Sequence, residues 1–541
     1  MLHIKFYLQG GGKKKWTELR HNGPMLAPLY EPHEIPIIVN NEKIVLNPLA
    51  EEYATMYARL LGTKYLDSSL FRKNFWKDFH AILHNEKVKD LDSIDFSLIR
   101  KHLDKIKEEK KNETKEEKLK DKEEKLKLEE PYMHCVIDGA QQKVGNYKVE
   151  PPGIFLGRGN HPKMGKIKKR TYPEDITINL DKQAPIPDAG KGHKWGNIIH
   201  DQNVIWLCSW KENITDKTKY IFTSLDSFFK AKSDEDKFDL ARKLKKKIQE
   251  IRTNYEKDLI NSNEKMKQLA TALYFIDNLA LRAGGKKDSK EEADTVGVTS
   301  LRVEHISLLD DNQIKLDFLG KDSVRYCKRV SVLSSVYENL KDFIDAKKRK
   351  DQLFDKINGN SLNEYLDSFM KGLSSKVFRT YNASFLFQKE LDKISHSNKL
   401  KLFTEPSDRL NYLISLFNQA NTEVALLCNH QKNIDSNLEI NIKKYDDRLK
   451  ELKKKKKKYI ENKNKEKAEN YNRKIKLLQM KKDMKLKMKN VSLTTSRNNY
   501  IDPRIIFAFI KKYDIPREQI LNDKSFERFE WASIVDENFK F

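Results

Sequence analysis

Five side chains stand out as able to do chemistry together: Arg282 in "LALRAGG", Lys321 in "LGKDS", Arg379 in "KVFRTYNAS", His430 in "LCNHQ" and Tyr500 in "RNNYIDPRI". Each has a plainer reading by itself. Arg282 is also a paired core arginine inside an apolar helix, Lys321 an ordinary hairpin-turn lysine, Arg379 one end of an interhelix salt bridge, His430 a satisfied helix-end histidine, and Tyr500 a packed aromatic. As a set they match what metal-free attack on a phosphodiester demands. A phenol with a pKa near 10 costs roughly 4 kcal/mol to ionise at neutral pH, so its proton must leave in concert with attack or with help from nearby positive charge. Negative charge then grows on the non-bridging oxygens, which guanidinium forks match with two donors each. The departing 5′ oxygen is a poor alkoxide and needs a proton, for which a lysine on a mobile turn is a suitable donor, while a histidine can hydrogen-bond the same phosphate. Because one phosphodiester is exchanged for another, resealing needs no nucleotide.

The rest of the chain excludes several alternatives. "GNHPKMGKI" has five residues between Gly159 and Gly165 where a phosphate-binding loop has four, and Ile167 stands where Ser or Thr would reach magnesium. "LGRGNHP" places Pro162 at the last glycine of a dinucleotide fingerprint. Asp310 and Asp311 are adjacent and read as a turn, so no metal is assigned. Cys135, Cys208, Cys327 and Cys428 are dispersed, which fits neither zinc nor a disulfide framework. No cofactor is expected. With 105 Lys and Arg against 80 Asp and Glu over 541 residues, a net charge of +25 calls for a polyanionic partner, nucleic acid before an acidic membrane. The opening "MLHIKFYL" is too short to span a bilayer, and no later apolar run is long enough.

These residues need elements to carry them. After a flexible lead over 1–22, the region 23–230 reads as a helical insertion (about 41–130) followed by a β-rich part (131–230), with strands at "DITINL", "NVIWLCSW" and "KYIFTSL". Within it, the Glu/Lys pattern of 101–130 predicts one exposed bridging helix. Residues 231–432 are mainly helical, with an antiparallel pair at "QIKLDFLGKDSVRYCKRV" that puts Lys321 on its turn. Over 433–490, Leu438, Ile442, Tyr445, Leu449 and Leu452, then Tyr471, Ile475 and Leu478, recur in steps of four and three. Two antiparallel helices joined near "NKNK" and projecting into solvent follow, with Lys453 to Lys458 on their faces. A compact segment, 491–541, carries Tyr500.

On the motifs "EPPGIFLGRGNHPKMG", "KKRTYPEDITINL", "GHKW", "ALYFIDNLALRAG", "EEADTVGVTSLRVEHI", "DFLGKDSVRY", "KVFRTYNAS", "LLCNHQ" and "NYIDPRI", the sequence resembles eukaryotic type IB DNA topoisomerase I over nearly its whole length. The resemblance implies a multidomain α+β protein, mainly α with β-rich parts. It further implies a bilobed DNA clamp with an antiparallel coiled-coil linker and a small helical C-terminal domain delivering the tyrosine. Arg282, Lys321, Arg379, His430 and Tyr500 match the catalytic positions. Arg158, His161 and Lys163, with Asp322 and Asn499, match positions that contact DNA or camptothecin-like poisons. The implied reaction nicks one strand of double-stranded DNA through a 3′-phosphotyrosyl link, lets the free end rotate, and reseals. A nuclear monomer without cofactor is expected.

Departures from the family pattern are Leu156, where an arginine is common, and the text after Gly284. The long charged amino-terminal tail is absent from this sequence. Two other readings stay open. A tyrosine recombinase uses similar groups, although Lys376 occupies its histidine frame here. A non-catalytic chromatin or DNA-binding clamp would exploit the same basic surface.

Overall fold

The computed structural model describes residues 14–541 apart from 86, 286, 287, 289, 290, 346, 396–399, 401, 402, 404, 433 and 436. Of the expected flexible lead, 1–13 lie outside the described residues, and the rest is not a loose lead. Trp16 is buried in a core, its indole donating to the Val204 carbonyl at 2.8 Å, and Leu19–His21 pairs as a strand with His134–Ile137, because an apolar Trp and Leu at this spacing reach the sheet. Two compact units emerge: Met1–Lys230 with Lys287–Asp294, and Ala231–Lys286 with Thr295–Phe541.

In the first unit, strands β1 (Leu19–His21), β2 (Ile37–Val39), β3 (Glu42–Ile44) and β4 (Ile94–Asp95) are followed by β5 (His134–Ile137), β6 (Ala140–Gly145), β7 (Gly153–Ile154) and β8 (Ile167–Lys168). Then come β9 (Ile176–Asn179), β10 (Asn197–Ile199), β11 (Trp206–Lys211) and β12 (Thr218–Thr223). Seven of these form one sheet in the order β1-β5-β6-β12-β11-β9-β10, antiparallel except for the β9–β10 pair. It buries Ile176, Ile178, Leu207, Trp210 and Ile221 in one core. A separate core joins helices α1 (Pro48–Ala58), α2 (Ser69–Leu83) and α3 (Ser97–Asn112) around Tyr57, Phe71, Phe75 and Phe79, with Tyr57 and Phe75 stacked at 4.3 Å. The first of these helices starts as its residues dictate: the Asn47 side chain accepts from the Ala50 amide at 2.9 Å, and Pro48 supplies a preset φ.

The single helix expected over 101–130 is two. Helix α3 ends at Asn112, and α4 (Lys115–Glu129) begins with Thr114 and Glu117 capping one another. That reciprocal pair satisfies amides at a new N-terminus, so the backbone breaks there despite favourable Glu/Lys spacing.

The second unit is built on α5 (Phe228–Asp258) and α6 (Glu264–Leu279), with a three-stranded sheet of β13 (Ile306–Leu309), β14 (Gln313–Leu319) and β15 (Arg325–Ser331). Helices α7 (Ser334–Asp345), α8 (Gly359–Phe369), α9 (Ser375–Ser395) and α10 (Pro406–Leu427) complete its body. They share one core in which Phe275, Phe354, Phe378 and Phe387 are fully buried.

Helices α11 (Leu438–Glu461) and α12 (Lys465–Lys487) form an antiparallel hairpin. Its register is set by Lys456 on Asn472 at 2.8 Å, by Lys482 on Asp446, and by stacked rings of Tyr459 and Tyr471. Its seam buries Leu449, Leu452 and Ala468 as the spacing requires. The second helix does not stand free in solvent as expected. Leu477, and not the neighbouring Leu478, packs with Phe403 and Tyr412, and Lys481 bonds Asn411 at the start of α10. A step of one residue rotates the seam toward the body, which a stripe read from one helix pair alone misses. Short helices α13 (Leu493–Asn499), α14 (Pro503–Tyr513) and α15 (Asp523–Phe529) end the chain. They are tied down by Arg504 on Asp502 and Asp239 and by Arg528 on Asp234.

Candidate active site

Arg282 does not lie inside a helix. Helix α6 stops at Leu279, and Ala280 turns into the left-handed region at φ 50°, which throws Leu281 and Arg282 into an irregular segment. That segment is held by a close crossing: the Arg282 carbonyl accepts from the Val298 amide at 2.9 Å, and a Cβ on Gly297 would meet the Gly284 backbone at 2.5 Å. Only two glycines permit this approach, so the sequence places Arg282 by what it omits two residues later. Lys321 stands exposed on the tight turn between β14 and β15, where Asp322 and Ser323 both have positive φ.

Arg379 comes from the first turns of α9 and is 5% exposed, His430 from the turn after α10 and is 6% exposed. Tyr500 caps α13, half-buried, one turn past Ser496, with its amide on the Ser496 carbonyl at 2.9 Å.

The four cationic or imidazole groups meet. Arg282, Lys321, Arg379 and His430 line one cleft of about 160 Å³, together with Asp322, Tyr326 and Cys428. Tyr500 lies behind the imidazole: the two rings stack at 5.1 Å, and the Arg379 guanidinium sits 5.0 Å over the phenol. Arg379 donates to the Ala280 carbonyl and, at 3.1 Å, to the Cys428 carbonyl. Among the described residues neither Arg282 nor Arg379 is paired with a carboxylate, and Arg379 Nε has no partner. Buried guanidinium charge neutralised only by backbone dipoles makes this cleft a site for an anion.

The electrostatics follow from this crowding. Arg379 Nη2 is 3.4 Å from His430 Nε2, so the guanidinium donates and Nε2 accepts, which leaves Nδ1–H to donate to Ser496 Oγ at 2.9 Å. Burial, then the charges of Arg379 and Arg282, push the His430 pKa down to about 3, so the ring is neutral. For Tyr500, burial alone would push the phenol up. The charge of Arg379, with a hydrogen bond and the charge of Arg282, outweighs burial and holds it below its ordinary value. A lowered phenol is what a tyrosine nucleophile needs.

Sequence reading did not single out Ser496, which is fully buried and orients the imidazole. Its spacing of four from Tyr500 on a short helix was the available signal. Tyr326 was missed too; its buried hydroxyl has no hydrogen-bond partner among the described residues.

The remaining expected contacts divide. Asp322 borders the cleft, and Asn499 is next to Tyr500, its carbonyl accepting from Lys237 at 3.3 Å. Arg158, His161 and Lys163 belong to the first unit, in the turn between β7 and β8. Arg158 is exposed there. Lys163 is engaged, donating to the Ile214 carbonyl at 2.7 Å and pairing with Glu291, and its amide donates to His161 Nδ1 at 3.1 Å. No group of three His, Cys, Asp or Glu able to hold a metal occurs among the described residues. No helix among them is long and apolar enough to cross a membrane.

Comparison with known proteins bears on the whole chain. Residues 14–223 match the eukaryotic DNA topoisomerase I DNA-binding fragment, 226–464 its catalytic core, and 472–541 the C-terminal topoisomerase domain. Human DNA topoisomerase 1 is 40% identical over 560 residues, spanning 97% of this chain and 72% of the relative. The Caenorhabditis elegans enzyme of that name is 43% identical over 96% of this chain and 66% of its own length. Arabidopsis thaliana DNA topoisomerase 1 beta is 41% identical over 98% of this chain and 60% of its own length. With matches covering nearly every residue and the cleft's unpaired arginines facing a tyrosine, the chain belongs to the eukaryotic DNA topoisomerase I family.

Proposed function

We propose that this chain relaxes supercoiled double-stranded DNA without ATP, with Tyr500 as nucleophile. The observation that carries the reading is the meeting of Arg282, Lys321, Arg379 and His430 in one cleft backed by Tyr500. The Tyr500 hydroxyl attacks the scissile phosphorus; a bond from its oxygen to phosphorus forms as the bond to the 5′ oxygen breaks, and the phenol proton passes to water in the same step. Lys321 protonates the leaving 5′ oxygen. Arg282 and Arg379 hold the non-bridging oxygens as charge develops, and a phosphate oxygen entering the cleft competes with His430 Nε2 for the Arg379 proton. The free 5′ end rotates; its hydroxyl then attacks the phosphorus, returning its proton to Lys321, as the bond from phosphorus to the Tyr500 oxygen breaks and the phenol takes a proton from water, which restores the strand.

The finer architecture belongs to the same proposal. Residues 23–230 form a cap lobe and 231–432 the catalytic lobe of a clamp. Residues 433–490 form a coiled-coil linker whose lysines brush DNA, and 491–541 the domain that delivers Tyr500. Asp322 and Asn499 beside the cleft, with Arg158, His161 and Lys163 in the first unit, contribute DNA contacts, and poisons of the camptothecin type bind the cleaved complex at Arg158, Asp322 and Asn499. The chain acts as a nuclear monomer. Phosphate contacts position the protein without reading bases, so sequence preference is weak.

An oligonucleotide duplex that loses a short 5′ fragment on cleavage, and so cannot reseal, tests the central step. The expected product is a covalent adduct whose DNA-bearing peptide contains Tyr500. An adduct elsewhere, or none, overturns the assignment.

A further inference from the structure

The β14–β15 hairpin that carries Lys321 is tied to the turn that carries His430 by three side chains, none of them assigned a catalytic part. Asn429 and Gln431 flank His430, and both donate their amides to one acceptor, the Arg325 carbonyl, at 3.2 and 3.1 Å. A carbonyl oxygen has two lone pairs and accommodates both. The Gln431 amide also donates to Asn429 Oδ1 at 2.9 Å, so the two donors brace each other. From the other side, Lys328 on β15 reaches back to the Leu426 carbonyl at the end of α10, at 3.1 Å. Its ammonium passes 5.2 Å from the Tyr326 ring.

The strap has a rigid anchor at each end. Arg325 is bound through both Nε and Nη2 to Asp317 on β14, at 2.7 and 2.6 Å, so the strand receiving the amides is locked to its partner strand. Asn429 sits at φ 53°, and this left-handed residue turns the chain so that His430 points inward while the side chains on either side point to the hairpin. Arg325 is four residues from Lys321, so its carbonyl fixes the base of the turn whose tip bears the lysine. Lys321 itself is exposed and makes no ion pair among the described residues. The Arg325 carbonyl is the point at which the turn that bears it is tied to the segment of His430.

We infer that Asn429, Gln431 and Lys328 are positioning residues that set Lys321 against the phosphate site fixed by His430 and Arg379. The inference rests on the reading of Lys321 as the proton donor to the leaving oxygen. It makes the proton-donating step, and not charge stabilisation or DNA affinity, the step that fails when the strap is cut, because Arg379 and His430 keep their own contacts to Ala280, Cys428 and Ser496.

The test uses single-turnover cleavage of two duplexes in parallel, one with the natural 5′ oxygen and one with sulfur at that bridging position. A thiolate leaves with little need of a proton. The strap is cut in the full chain by Asn429→Gly with Gln431→Met, where glycine keeps the positive φ and loses the amide. It is cut independently by Lys328→Met, which keeps the aliphatic stem. Lys321→Ala is the reference. Each strap variant is expected to cleave the oxygen substrate about 10- to 100-fold more slowly, and the sulfur substrate within about 2-fold of the parent, as does Lys321→Ala. If sulfur rescues Lys321→Ala while the strap variants are slowed equally on both substrates, or on neither, the positioning inference fails and the acid assignment stands. If sulfur does not rescue Lys321→Ala, both fail.

Discussion

The cleft and the α11–α12 hairpin are both rich in positive charge and use it in opposite ways. In the cleft, Arg379 and His430 are almost wholly buried, every hydrogen-bond partner of the Arg379 side chain is a carbonyl or the imidazole, and the phenol beside them is lowered, against burial, by Arg379 and Arg282. On the hairpin, Lys453 to Lys458 include no buried side chain, and what is buried is apolar: Leu449, Leu452, Ala468 and Leu477. Charge held in fixed geometry away from water acts on a transition state; charge on long solvated side chains acts on the field around DNA and is screened by salt. Substitutions in the first region should therefore change chemistry steeply, and those in the second should change stability or salt dependence.

The largest contrast is expected at Arg379. Arg379→Lys retains a charge but cannot span the Ala280 and Cys428 carbonyls with a planar fork, so single-turnover cleavage should fall about 100- to 1,000-fold. A variant within a few-fold of the parent would place Arg379 outside the charge-stabilising group. His430→Gln should have an intermediate effect, about 10- to 100-fold, because glutamine keeps a neutral group but cannot at once accept from Arg379 and donate to Ser496 with the geometry of the ring.

That substitution also has a sign in pH. The unfolded histidine takes up a proton near its ordinary value of 6.5, whereas the folded one resists until about 3. Its contribution to stability is thus complete above pH 6.5 and lost as pH falls from there toward 3. Between pH 7 and 4.5 the urea midpoint of His430→Gln should fall less than that of the parent; an equal fall would show that the buried ring is not neutral. The smallest effect on chemistry is expected on the hairpin. Leu477→Ala should destabilise its docking by about 2–4 kcal/mol, read by proteolysis of the hairpin or by hydrogen exchange, while cleavage stays within about 2-fold. A large loss of cleavage would mean that the hairpin is part of the active site's rigidity.

Legibility in the sequence followed the same division. The β14–β15 turn with Lys321 at its tip, and the antiparallel pairing of α11 with α12, were readable because local alternation and periodicity specify them. Arg282 was misplaced into a helix because alanine at positive φ is rare, and only the distant Gly284–Gly297 crossing reveals that the helix must already have ended. The break at Thr114 was legible in "TKEE" and was overridden by the charge pattern around it. Leu477 against Phe403 and Tyr412, Ser496 beneath His430, and the amides on the Arg325 carbonyl depend on contacts between segments tens or more than a hundred residues apart, which no local spacing records.

The account stands on the phenol of residue 500 being the group that opens and closes the strand. Supercoiled plasmid incubated with the protein in EDTA and without nucleotide should be relaxed, and Tyr500→Phe should leave it fully supercoiled at any protein concentration while binding DNA within about 3-fold of the parent. Relaxation by the Tyr500→Phe variant would contradict it.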